Sequence, residues 1–162
     1  MISQRQLNAR VFQDPNYFLA FGLGSGLIRY APGTWGTVMA IPLYLLIANL
    51  SAISYLTVCM LAFIYGCWVC GKVANELGVH DYNGIVWDEV VGFWLTMFAI
   101  PVSFSSVILG FILFRVFDVI KPPPILWVDR YVGGGTGIML DDVLAGIAAW
   151  IILFLCYQAG FL

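Results

Sequence analysis

The stretch IVWDEVVGFWLTMFAI (residues 85–100) sets two carboxylates, Asp88 and Glu89, side by side at the head of an otherwise almost unbroken apolar run. Ionised carboxylates are costly to move out of water, so a pair in the first turn of such a segment needs a reason. That reason depends on where the other charges of the chain fall.

Charge is scarce throughout. Of 162 residues, 62% are hydrophobic and 10% charged, and the mean hydropathy is +0.94. A soluble domain carries about 25% charged residues, so this chain reads as one integral-membrane domain over residues 1–162. A net charge of −2 without any basic run argues against nucleic acid as a partner. The stretch MISQRQLNARVFQDPNY has no short apolar core ending in a small-residue cleavage site, so no removable signal peptide is expected. Cys59, Cys67, Cys70 and Cys156 lie within apolar segments, and Cys67 with Cys70 lacks the further ligands of a zinc site. They read as buried packing.

A helix needs about 20 residues to cross the hydrocarbon core. Five candidate spans answer to that description: residues 37–50, 52–71, 85–102, 104–120 and 138–162. The first is short and holds Pro42, which predicts an earlier start, a tilt or a kink. Before it, YFLAFGLGSGLI (residues 17–28) is too short and glycine-rich to span. The fold expected is all-α: a polytopic membrane helical bundle of about five spanning helices, with a short N-terminal interfacial or re-entrant helix. Long apolar runs exclude a barrel.

Lysine and arginine orient such a bundle. Arg5, Arg10 and Arg29 precede the first span, Lys72 follows the second, and Arg115, Lys121 and Arg130 surround the end of the fourth. The turns near residues 49–52 and 101–104 and the C-terminus have none, so the positive side is expected in the cytoplasm. The acids fall on that same side. Seven of nine lie between Asp81 and Asp142, at span ends or in the adjoining loops. Asp88 and Glu89 therefore belong to a charged layer.

Asp81, Asp88, Glu89, Asp118, Asp141 and Asp142 form the strongest constellation. Carboxylates converging at shallow depth repel one another unless cations neutralise them, and hard oxygen donors without histidine or thiolate favour Mg²⁺, Mn²⁺ or Ca²⁺. Acids at helix starts also follow from the macrodipole alone, but Asp118 sits near a helix end, where the dipole disfavours it. Arg115 and Lys121 flank Asp118 in FRVFDVIKPPPI, where they either snorkel to the interface or supply what a phosphate needs beside a metal. Two glycine-rich stretches, GLGSGLIRYAPGTWGT (residues 22–37) and GGGTG (residues 133–137), each precede a span and can turn backbone N–H groups toward phosphate. GCWVCGKV (residues 66–73) fits GxxxxGK but has Val73 where a metal-binding hydroxyl belongs, and it is no P-loop. His80, the single histidine, rules out HExxH chemistry, and no GxSxG elbow is present. Beside Asp81, His80 is either a proton donor or a loop residue.

Four segments together resemble the phosphatidylglycerophosphatase A family: GSGLIRYAPGTWGT (residues 24–37), HDYNGIVWDEVVG (80–92), FRVFDVIKPPPI (114–125) and DRYVGGGTGIMLDD (129–142). The resemblance implies a Mg²⁺-dependent phosphatase of the bacterial inner membrane, multi-pass, with its site on the cytoplasmic face. It further implies phosphatidylglycerophosphate as substrate, phosphatidylglycerol as product, and a compact bundle around one central helix. No protein partner is implied. On that basis Asp81, Asp88, Glu89, Asp118 and Asp142 are the expected catalytic residues, and Asp88, Glu89, Asp118, Asp141 and Asp142 the expected metal ligands. Ser25, Thr34, Thr37, Arg115 and Lys121 are expected to bind phosphate or substrate. Water and a carboxylate are both open as nucleophile. The alternative is a proton or cation transporter using the same acidic cluster.

Overall fold

The computed structural model describes residues 3–79 and 82–162 of the chain. Asp81, an expected catalytic acid, and its neighbour His80 lie outside the described residues. Those that are described form helices and no strand.

The chain opens with α1 (Gln4–Gln13), which the Ser3 and Gln6 side chains start through a reciprocal capping box and which buries Leu7 and Val11. Asp14 then caps α2 (Pro15–Ala20) by accepting a hydrogen bond from the Asn16 N–H. A 3₁₀ turn over Gly22–Leu27 follows, in which Gly22, Leu23 and Gly24 take left-handed backbone angles. The expected interfacial helix over residues 17–28 is thus broken in two, because such angles cannot continue an α-helix.

The main bundle comprises α3 (Pro32–Ile47), α4 (Ala52–Leu77), α5 (Trp87–Thr96), α6 (Phe104–Ile120) and α8 (Gly134–Gln158), with the short α7 (Ile125–Tyr131) before α8. Pro42 is accommodated inside α3, which begins at Pro32, before the expected boundary. Helix α6 occupies its expected range, and Ser103 caps it. Two helices, α4 and α8, are long and apolar enough to cross a membrane.

The expected span over residues 85–102 needs correcting. Helix α5 stops at Thr96 after 10 residues, about 15 Å at 1.5 Å per residue, roughly half a hydrocarbon core. Its apolar residues answer to protein rather than to lipid. Val90, Val91, Gly92, Phe93, Trp94 and Thr96 are buried as α3, α4, α6 and α8 surround it. The chain continues without regular helix to Ser103, with Met97 and Ile100 buried and Ala99 in the left-handed region.

The outer faces are apolar as well. Ile53, Met60, Leu61 and Ile64 of α4, Ile108, Ile112 and Val116 of α6, and Ile151 and Leu155 of α8 are exposed. Faces this apolar and this exposed are compatible with a lipid surround.

Helices α5 and α8 cross at close quarters. A Cβ added at Gly146 would lie 2.4 Å from the Gly92 carbonyl oxygen, and one at Gly92 would lie 2.8 Å from that of Asp142. The Thr96 hydroxyl donates to the Gly92 carbonyl at 3.0 Å and to that of Gly146 at 3.3 Å. Asp88 stands one turn before Gly92 and Asp142 one turn before Gly146, so the crossing brings their carboxylates to one place.

Candidate active site

A cavity of about 400 Å³ opens where α5, α6 and α8 meet the start of α3. Its wall includes Asp88, Glu89, Asp118, Asp129, Asp141 and Asp142, with Arg115 and Lys121. Six carboxylates thus face two cations. Ligand oxygens of Asp88, Glu89 and Asp142 lie within 4.8 Å of one another.

The cations are committed to particular acids. Arg115 Nη1 lies 2.5 Å from Asp118 Oδ2, one helical turn away, and 3.8 Å from Glu89 Oε1. It also donates to the Thr37 hydroxyl at 3.5 Å. Lys121, left-handed at the end of α6, donates to Asp141 Oδ2 at 2.6 Å and to Asp129. Burial works against the Lys121 charge, but the hydrogen bonds and charges of Asp129 and Asp141 outweigh it and hold the ammonium above its usual range.

That leaves oxygens without a partner. Glu89 Oε2, Asp141 Oδ1 and Asp142 Oδ2 are buried and accept no hydrogen bond among the described residues. Buried polar atoms are ordinarily satisfied, so each such oxygen needs a donor or a cation. The donor set is all oxygen, clustered and negatively charged, and it suits a hard divalent ion. Glycine provides the room. A Cβ at Gly33, in the first turn of α3, would fall 2.1 Å from Glu89 Oε1. The Glu89 carboxylate therefore rests against a helix start, where the macrodipole favours an anion.

Asp88, Glu89, Asp118, Asp141, Asp142, Arg115 and Lys121 come together in this cavity. The expected hydroxyls stand apart from its wall. Thr37 is buried and donates to the Gly33 carbonyl at 2.9 Å, Ser25 donates to the Gly22 carbonyl at 2.8 Å, and Thr34 is half-buried. Thr37 touches the site through Arg115 and Gly33. GGGTG forms the start of α8: Gly134 takes a left-handed φ of +71°, Gly137 lines the cavity, and a Cβ at Gly135 would strike the Cys67 carbonyl at 1.8 Å, so Gly135 serves the packing of α8 on α4. Gly33, Gly92, Gly146 and Asp129 were missed as contributors to the site. Asp129 sits eight residues after Lys121 across a proline-rich turn, a local signal that was there to be read.

Comparison with known proteins places the chain in a family. The family model described as phosphatidylglycerophosphatase A matches residues 18–157, which contain every described acid of the cavity. A relative of that name from Escherichia coli is 45% identical over 142 residues, covering 87% of this chain and 83% of the relative. Another of that name from Haemophilus influenzae is 44% identical over 143 residues, covering 87% of this chain and 88% of the relative. No solved structure matches. With the family model covering most of the chain and two relatives near half identical, this chain belongs to the phosphatidylglycerophosphatase A family.

Proposed function

We propose that this chain hydrolyses the terminal phosphomonoester of phosphatidylglycerophosphate, leaving phosphatidylglycerol and inorganic phosphate, with Mg²⁺ as cofactor. Family membership supports the substrate. The observation that carries the chemistry is the cluster of Asp88, Glu89 and Asp142, with buried unpartnered oxygens on Glu89 and Asp142, beside Arg115 and Lys121. Asp88, Glu89 and Asp142 would hold the ion, with Asp118 and Asp141 completing the acidic wall. When bound, a divalent cation polarises phosphoryl oxygens and offsets negative charge at the reaction centre.

The chain's own residues supply the rest. Arg115 and Lys121 orient the phosphate, an arginine fork and an ammonium suiting its oxygens. Asp118 and Asp141 hold those two side chains in place before substrate arrives, which reduces the ordering cost of binding. The exposed apolar faces of α4, α6 and α8 leave the acyl chains in lipid while the headgroup reaches the cavity. The bundle then sits in the bacterial inner membrane with its acidic layer on the cytoplasmic side. Helices α3, α4, α6 and α8 cross it, and the chain after α5 completes that pass through the irregular segment 97–103, of which Met97 and Ile100 are buried. Transport is the weaker reading because the acids gather around one cavity rather than form a chain through the bundle.

Phosphate release by the purified protein tests the proposal. Turnover of phosphatidylglycerophosphate should stop in EDTA and return on adding Mg²⁺. Full turnover in EDTA would remove the cation from the account, and no release under any condition would remove the phosphatase.

A further inference from the structure

A second cavity, of about 800 Å³, adjoins the acidic one, and Pro32 and Asn83 line both. Its wall is otherwise largely apolar, with Phe21, Leu27 and Ile28, and Arg29 is the one charged residue among those described. Arg29 is exposed, and none of the ion pairs among the described residues uses it. Arg115 and Lys121, in contrast, are each bound to carboxylates. The frame around Arg29 is rigid. A Cβ at Gly26 would lie 2.0 Å from the Gly84 carbonyl oxygen, and the Val86 N–H donates to the Ala20 carbonyl at 2.9 Å. These backbone contacts tie the strand of chain leading to Arg29 to the segment that carries Asn83 and the α5 acids.

The headgroup of phosphatidylglycerophosphate matches this pair of cavities in charge. Its terminal phosphomonoester is a dianion near neutral pH, and the phosphodiester joining glycerol to diacylglycerol is a monoanion. A dianion suits the cavity that combines a divalent ion with two cations. A monoanion suits a single arginine on a wall that, among the described residues, has no carboxylate. We propose that Arg29 binds the internal phosphodiester of the substrate in this second cavity, which makes it a specificity residue for lipids carrying both phosphates. The inference rests on the lipid-phosphatase reading above. The glycerol bridge would pass Pro32 and Asn83, and the apolar wall would receive the start of the diacylglycerol.

Two water-soluble probes separate this from simple membrane anchoring: the deacylated headgroup glycerophosphoglycerophosphate, with both phosphates, and glycerol 3-phosphate, with the monoester alone. Their affinities for the detergent-solubilised full chain in Mg²⁺ are read from the rise in melting temperature, which does not depend on turnover. The wild type should bind the two-phosphate probe more tightly. Arg29→Gln should lower that affinity roughly tenfold, the scale of one charge-assisted hydrogen bond, and leave glycerol 3-phosphate unchanged. Arg29→Lys should retain part of the preference. On the lipid itself, KM should rise with kcat preserved. Equal affinity of the wild type for both probes, or an equal loss of both in Arg29→Gln, overturns the proposal, as does wild-type affinity of Arg29→Gln for the two-phosphate probe. Failure of the phosphatase reading would show separately, as no phosphate released from the lipid.

Discussion

Glu89 occupies the space that a side chain at residue 33 would fill, and a single methyl there separates catalysis from stability. Gly33→Ala should stabilise α3 by up to about 1 kcal/mol through helix propensity, yet push the Glu89 carboxylate off its seat. The expected outcome is a melting temperature unchanged or raised, with kcat/KM down at least about tenfold, because the carboxylate displaced is one of the proposed holders of the ion. Normal turnover in Gly33→Ala would mean the Glu89 position is unimportant. Arg115→Ala tests the other side of the same carboxylate. It should lower kcat/KM on the lipid by about tenfold or more while the Mg²⁺ concentration for half activation stays put, because Arg115 faces phosphate rather than the ion. At this scale the acids were legible in the sequence, since a charge inside an apolar chain stands out. Gly33 was not, because what makes it necessary is the Glu89 side chain, contributed by a different helix.

At the level of elements, the site depends on how closely α5 and α8 cross. Gly146→Ala would force its methyl against the Gly92 carbonyl, 2.4 Å away, and overpacking of this kind costs about 1–3 kcal/mol. Because Asp88 and Asp142 each sit one turn from the contact, the variant should lose activity along with stability. Thr96→Val, which removes a hydroxyl that donates to both helices, should cost about 1 kcal/mol in thermal or denaturant melts, with activity nearer normal. A Gly146→Ala protein with wild-type melting would show that the helices have room to spare. Helix α6 could be placed from the sequence because Ser103 starts it and Lys121 with the prolines ends it. Helix α5 was overextended because hydropathy reads an apolar stretch alike whether lipid or protein covers it. The short helices α1 and α7 escaped notice since each buries little, Leu7 and Val11 in one and Ile125 in the other.

For the whole molecule, the charge layer implies a topology. On a background without native cysteines, Asn49→Cys in the turn after α3 should be labelled from outside intact cells, and Arg130→Cys in α7 should not. The reverse pattern would place the acidic cavity on the other face. That the helices would carry long apolar faces was legible from composition, and the charge asymmetry set the expected side of the site. The convergence of that layer on one cavity required the tertiary packing, in which six carboxylates from four helices, α5, α6, α7 and α8, reach one place. The central claim is that this cavity holds a divalent ion needed for phosphate hydrolysis, and Asp142→Asn tests it most directly. In the wild type, Mg²⁺ should raise the melting temperature and support phosphate release from the lipid. Asp142→Asn should melt no lower than the wild type without metal, since one buried negative charge is gone from a crowded set. It should also lose the Mg²⁺-dependent rise and at least about 100-fold of activity, beyond the usual cost of an outer supporting group. Asp14→Asn, which keeps a good helix cap far from the cavity, should behave as wild type in both measurements. An Asp142→Asn protein that keeps its Mg²⁺-dependent melting shift and turns over the lipid normally would contradict the account.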